Sequence, residues 1–195
     1  ASLGNAHTLD QLKTINNALS GELTLTDYDV DLSGSSSDVA AALAGSFADT
    51  YTGDVSLNNA HNLTQLKAIN DATTGTITLT DYSVDLSGST ADVKAALDGT
   101  FADTYTGNVT LGDADDAEIA ATDISTIAGD TSGTVTVTND IIITGTSAAI
   151  ATAVGNVDTF SGAAKASLGN AHTLDQLKTI NNAISGALTL TDYSV

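Results

Sequence analysis

Three histidines and two sets of carboxylates are the residues of this chain whose types and spacing could do chemistry. His7, His61 and His172 recur at one position of a repeating pattern. Imidazole is a common metal ligand, so the row raises a metal ladder. No companion ligand set of zinc type accompanies it. The competing reading is a turn histidine that bonds backbone groups in each repeat. Asp113, Asp115, Asp116 and Glu118 fall within one short stretch, and calcium binds several carboxylate and carbonyl oxygens. Asp27, Asp29 and Asp31 resemble the opening of an EF-hand loop but lack its glycine and its closing glutamate. They alternate with Tyr28, Val30 and Leu32, as the solvent side of a strand does. Each acidic set therefore reads either as a calcium site or as a solvated acidic surface. Calcium is the one cofactor the sequence raises, with Asp113, Asp115, Asp116 and Glu118 as its metal ligands.

No catalytic constellation accompanies these groups. The chain has no nucleophile elbow, phosphate loop or zinc motif. Catalytic sites are asymmetric, whereas here each distinctive residue recurs in register, so the chain is expected not to be an enzyme. Its 195 residues carry 24 acidic against 5 basic side chains, a net charge of −19. That balance excludes a nucleic-acid partner, which needs cations to displace counterions from phosphates. Cysteine is absent, which removes disulfides and thiolate chemistry. No apolar run approaches a membrane span, and no signal-peptide pattern opens the chain. Yet 42% of residues are hydrophobic and evenly spaced, unlike a disordered acidic tail.

The spacing comes from internal repetition. Residues 166–195 match residues 1–30 at 27 of 30 positions, and a second copy follows the first after 54 residues. The units run at about 1–57, 58–111, 112–165 and 166–195, the third diverged and the fourth partial. Glycine followed by alternating apolar and polar residues marks strands, as in Gly21-Glu-Leu-Thr-Leu-Thr26 and Gly75-Thr-Ile-Thr-Leu-Thr80. Leu23 and Leu25 should face inward and Thr24 and Thr26 outward. Outward Thr-x-Thr pairs also occur in ice-binding solenoids, but Ser56, Asn58 and Gly112 interrupt the array, and threonine is an ordinary strand former. Asp27–Gly34 reads as a further short strand.

Helices fall between the strands. Leu9, Leu12, Ile15 and Leu19 share one helical face, and Thr8 with Gln11 forms a capping box. The pair recurs as Thr173 and Gln176, and as Asn62 and Gln65. A second helix, Ser37–Ala44, should close on Gly45 as a left-handed cap. Asn16 and Asn70 read as a buried ladder that satisfies turn backbone groups. Absence of Trp and Met suits a core too thin for large side chains.

These elements predict an α/β repeat solenoid over 1–195, a single continuous segment of strand–turn–helix rungs. A parallel sheet should line one side and short helices the other. Strands should recur alternately about every 22 and 32 residues, by the spacing of Gly21, Gly53, Gly75 and Gly107. Both ends fall inside a repeat. This reads as a piece of a longer repetitive chain, or as units that stack head to tail. The partner is then the chain itself, with no membrane insertion.

The runs LDQLKTINNA, GTITLTDYSVDLSGS and FADTYTGNVTL resemble repeats of very large secreted or cell-surface proteins of bacteria, particularly marine cyanobacteria. The resemblance covers nearly the whole chain and defines the repeat, not an active site. It implies an extracellular or cell-surface location and a structural role as a filament or giant surface-protein segment. The alternative it implies is a calcium-dependent adhesin that binds a ligand.

Copies two and four already carry serine at the position of Asp29. Replacing Asp29 by Ser is therefore expected to change unfolding free energy by no more than about 0.5 kcal/mol, as for an ordinary surface change. Urea denaturation measures it, and a loss of several times that amount would place the acid in the structure's interior network.

Overall fold

The computed structural model describes residues 1–193. In chain order the elements are β1 (Ser2–Leu3), α1 (Leu9–Ala18), β2 (Thr24–Leu25), β3 (Leu32–Gly34), α2 (Ser36–Leu43), β4 (Val55–Leu57), α3 (Leu63–Ala72), β5 (Ile77–Thr78), β6 (Leu86–Gly88) and α4 (Thr90–Leu97). They continue as β7 (Val109–Leu111), β8 (Glu118–Ala120), α5 (Ala121–Asp130), β9 (Val135–Val137), β10 (Ile142–Gly145), α6 (Ser147–Asn156), β11 (Thr159–Phe160), β12 (Lys165–Leu168), α7 (Leu174–Ala183) and β13 (Leu188–Thr189). The fold is mixed α/β with parallel strands. Two compact units divide it: Ala1–Val84 with Ala95–Thr106, and Asp85–Lys94 with the described residues from Gly107 onward. Among the described residues no helix is long and apolar enough to cross a membrane.

The helices start where their caps dictate. Thr8 Oγ1 accepts from the Gln11 amide at 3.3 Å, and Gln11 Oε1 accepts from the Thr8 amide at 3.0 Å. Asn62 with Gln65 and Thr173 with Gln176 do the same for α3 and α7. Each box satisfies two amides that the first helical turn leaves without partners. The diverged third copy begins α5 after Ala120, with no side-chain cap.

Strand pairing is parallel throughout, but the strands do not form one sheet. The first unit holds a two-stranded sheet, β1-β2, and a three-stranded one, β3-β4-β5. The second unit holds two four-stranded sheets, β13-β12-β10-β8 and β11-β9-β7-β6. The expected step of about 32 residues from β2 to β4 is not a pairing. The short strand β3 stands in between: Leu32 pairs with Val55, while β4 pairs onward, Val55 with Ile77. Only Leu32–Gly34 of the expected Asp27–Gly34 strand is extended in a sheet. Asp27 folds the stretch before it by accepting the Asp29 amide at 3.0 Å, and Asp81 accepts the Ser83 amide at 2.8 Å. Such Asx turns compete with the ladder for the backbone.

Inward positions are as the alternation predicts. Leu23, Leu25, Val55, Leu57, Ile77, Leu79, Val109 and Leu111 are buried, and Thr24 and Thr26 are exposed. The core is not too thin for large side chains, however: Tyr51 and Tyr105 are the largest fully buried ones. Gly45 also departs from expectation, because it is not left-handed. It is glycine because the Asn16 amide occupies the place of a Cβ, and Asn70 does the same at Gly99. The close approach lets one helix's asparagine reach the end of the next.

Leu66 sits on the inner face of α3 and is fully buried. Leu66→Ala should cost about 2–5 kcal/mol, measured by urea denaturation. Leu66→Asp should abolish the cooperative transition, since it buries an unpaired charge. A folded Leu66→Asp chain would contradict the packing described.

Candidate functional site

Two of the three histidines, His7 and His61, are engaged by tyrosine, not by backbone groups of a turn. His7 Nε2 lies 2.9 Å from the Tyr51 hydroxyl, and His61 Nε2 lies 3.0 Å from that of Tyr105. Each hydroxyl donates its one proton to a carbonyl, Tyr51 to Val30 and Tyr105 to Val84, both at 2.6 Å. A carbonyl only accepts, so the hydroxyl must accept from the imidazole. The proton of each histidine therefore resides on Nε2. Nδ1 of both rings is buried and without a partner. Phe47 and Phe101 pack against the two phenols in tilted geometry, with ring centroids 5.9 and 6.1 Å away.

This environment disfavours charge. Burial lowers the pKa of His7, with Asp27 acting against it. Burial lowers that of His61 too, opposed by Asp81. Burial, then Asp27, Asp31 and Asp29, push the Tyr51 hydroxyl far above the ordinary phenol range. Neutral imidazole and neutral phenol are thus the stable forms, suited to holding two segments together. In the chain's third copy, residues 112–165, neither His nor Tyr occurs, and Ile119 stands in the place of His61. Across the first three copies donor and acceptor are present together or absent together, as the cost of a lone buried polar group requires.

Other side chains bridge the same segments. Asn16 Nδ2 donates to the Ala42 carbonyl at the end of α2. Asn70 Nδ2 donates to the carbonyls of Ala95 and Ala96 at 3.0 and 3.2 Å. The asparagines therefore serve the orphan carbonyls of a helix terminus, where a turn was expected. At the opposite end of the helices, Asn59 Oδ1 accepts the Ser36 amide and Asn170 Oδ1 accepts that of Ser147, both at 2.7 Å. Acidic residues act alike along the strands. Asp31 Oδ1 accepts from the Asp54 amide at 3.0 Å, and Asp54 Oδ1 from the Thr76 amide at 2.7 Å. In the other unit Asp85 serves the Asn108 amide at 2.9 Å, and Asp140 serves that of Ala163 at 2.6 Å.

The acidic cluster is drawn into this network. Asp113 takes the place of Asn59 and Asn170: its carboxylate accepts the Thr90 amide at 3.0 Å and the Thr90 hydroxyl at 2.5 Å. Asp115 accepts the Asp140 amide at 3.1 Å. Asp116, in the left-handed region with φ of 62°, pairs with Lys165. Glu118 lies on β8 with an exposed side chain. The four are not gathered: among the described residues no group of three or more His, Cys, Asp or Glu could hold a metal. Threonines proposed to line an open array bond the backbone too. Thr80 donates to Leu57 at 2.6 Å and Thr138 to Leu111 at 3.1 Å.

Sequence reasoning missed Tyr51 and Tyr105. The available signal was the invariant 44-residue interval between histidine and tyrosine in the first two copies. Comparison of the chain with family models, curated proteins and solved structures yields no match.

The histidines predict a pH dependence. The unfolded chain binds protons at a higher pH than the native one does, since burial lowers the native pKa of His7 and His61. Their contribution is therefore undiminished above about pH 6.5 and declines as pH falls from there toward the native values. Between pH 8 and pH 5 the melting temperature of the natural chain should drop more than that of a His7→Gln, His61→Gln double variant. Parallel curves for the two proteins would show that the buried rings do not set this dependence.

Proposed function

We propose that this chain is a structural, non-catalytic repeat segment of an extracellular bacterial filament or giant cell-surface protein. Its repeats act as rungs of an α/β solenoid, and it assembles with itself end to end. The observation that carries this reading is the paired use of His7 with Tyr51 and His61 with Tyr105 at one spacing. The side chains richest in chemistry hold one segment on the next, and they recur with the repeat. Parallel pairing supports the same reading. Strand partners stand from Ser2 with Thr24 to Val109 with Val135, about one rung apart in sequence.

The duty is mechanical. A rung by itself buries too little apolar surface to be stable, and neighbours complete its core. A net charge of −19 keeps such a stack soluble and resists lateral clumping. The extracellular placement rests on the likeness of the repeat runs to those of large bacterial surface proteins.

Electron microscopy and fibre diffraction of the purified chain test the proposal. Fibres of uniform width, with an axial reflection near 4.8 Å from rung spacing, are expected as concentration rises. Particles that stay at the mass of a single chain at every concentration would contradict end-to-end assembly.

A further inference from the structure

His172 is a buried imidazole whose two nitrogens both lack a partner. It is 7% exposed and belongs to a segment that repeats residues 1–30 at 27 of 30 positions. In the first copy, residues 31–57 cover the equivalent face. Tyr51 meets His7, Asp38 pairs with Lys13, and the Ala42 carbonyl accepts from Asn16. The Leu9 side chain packs against the backbone of Gly34. In the second copy, residues 95–106 bring Tyr105 to His61 and helix carbonyls to Asn70.

The same donors recur around residue 172 as His172, Lys178 and Asn181, and no described segment covers them. Leu174, the counterpart of Leu9, is 69% exposed, and Tyr193, the counterpart of Tyr28, is 80% exposed. Large apolar side chains so open, one of them two residues from an unpaired buried imidazole, are features of an incomplete interface. The third copy shows the alternative solution: it lacks His and Tyr alike. The retained His172 therefore calls for a phenol.

We propose that the face of His172, Leu174, Lys178 and Tyr193 binds a segment of the 31–57 type. That segment carries a short Ser-capped helix and then Phe-Ala-Asp-Thr-Tyr-Thr-Gly. Its tyrosine hydroxyl accepts from His172 Nε2, its helix aspartate pairs with Lys178, and its glycine strand lies against Leu174. This inference rests on the reading of the chain as a repeat segment, and its partner is a segment of that type not already engaged, since residues 31–57 of a folded chain cover their own His7.

The test is a titration of the full chain, kept dilute, with a synthetic peptide of residues 31–57. Histidine ring resonances are followed by nuclear magnetic resonance. Saturable binding should shift His172 and leave His7 and His61 unmoved. A Tyr51→Phe peptide, or a His172→Ala chain, should bind about fivefold more weakly, the loss of one buried hydrogen bond. A second arm appends residues 31–57 to the full chain after Val195, which removes the concentration demand on a flexible peptide. There His172 should take ring shifts like those of His7 and His61. An appended segment that leaves His172 unshifted would overturn the proposal, as would peptide binding that moves His7 or ignores both substitutions. Fibres without this engagement would sink the inference alone; engagement without fibres would sink only the filament reading.

Discussion

A buried polar group must find a partner, and in this fold the partner comes from the next stretch of repeat. The imidazole of His61 is 5% exposed and is met by a hydroxyl 44 residues along the chain. The last carbonyls of a helix are met by an asparagine of the preceding one. An unsatisfied buried donor or acceptor costs about 1–3 kcal/mol, so the first half of a copy, which presents such groups, is incomplete without the second. Apolar packing then follows the same register. Gly45 and Gly99 are fixed by the asparagines that approach them, and the tyrosines that answer the histidines are also the largest buried side chains.

The surplus of acid fits the same logic. Several of the 22 aspartates accept backbone amides from the neighbouring stretch of chain. Asp31, Asp54, Asp85 and Asp140 each do so. Ion pairs such as Lys13 with Asp38 and Lys94 with Asp123 are half-exposed and add little, about 0–1 kcal/mol each. Charge is therefore not the main cohesive force. The carboxylates act as local hydrogen-bond acceptors, and their net repulsion is tolerated because they face solvent.

What the sequence made legible was periodic. Capping boxes at Thr8, Asn62 and Thr173 and the alternation at Leu23 and Leu25 follow from local chemistry, and they stand as read. What stayed hidden needed distance information. Nothing local to His7 points to Tyr51, and nothing local to Gly45 points to Asn16. The sheet division was hidden for a related reason, because β3 competes for β4 through register, which a single strand's pattern does not encode. Asp113 read as a calcium ligand because carboxylates crowd there, yet its counterparts Asn59 and Asn170 are neutral and bond the same kind of amide. Alignment of the copies, position by position, was the signal available for that distinction.

The central claim is that a histidine of one stretch and a tyrosine 44 residues on act as a unit. A double-mutant cycle of His61→Gln and Tyr105→Phe, read by urea denaturation, tests it most directly. The two sites should couple by about 1 kcal/mol or more, within the range for groups sharing one buried hydrogen bond. Strictly additive losses would show that His61 and Tyr105 stabilise the fold independently, and the bond between the two halves of a repeat would lose its place at the centre of the structure.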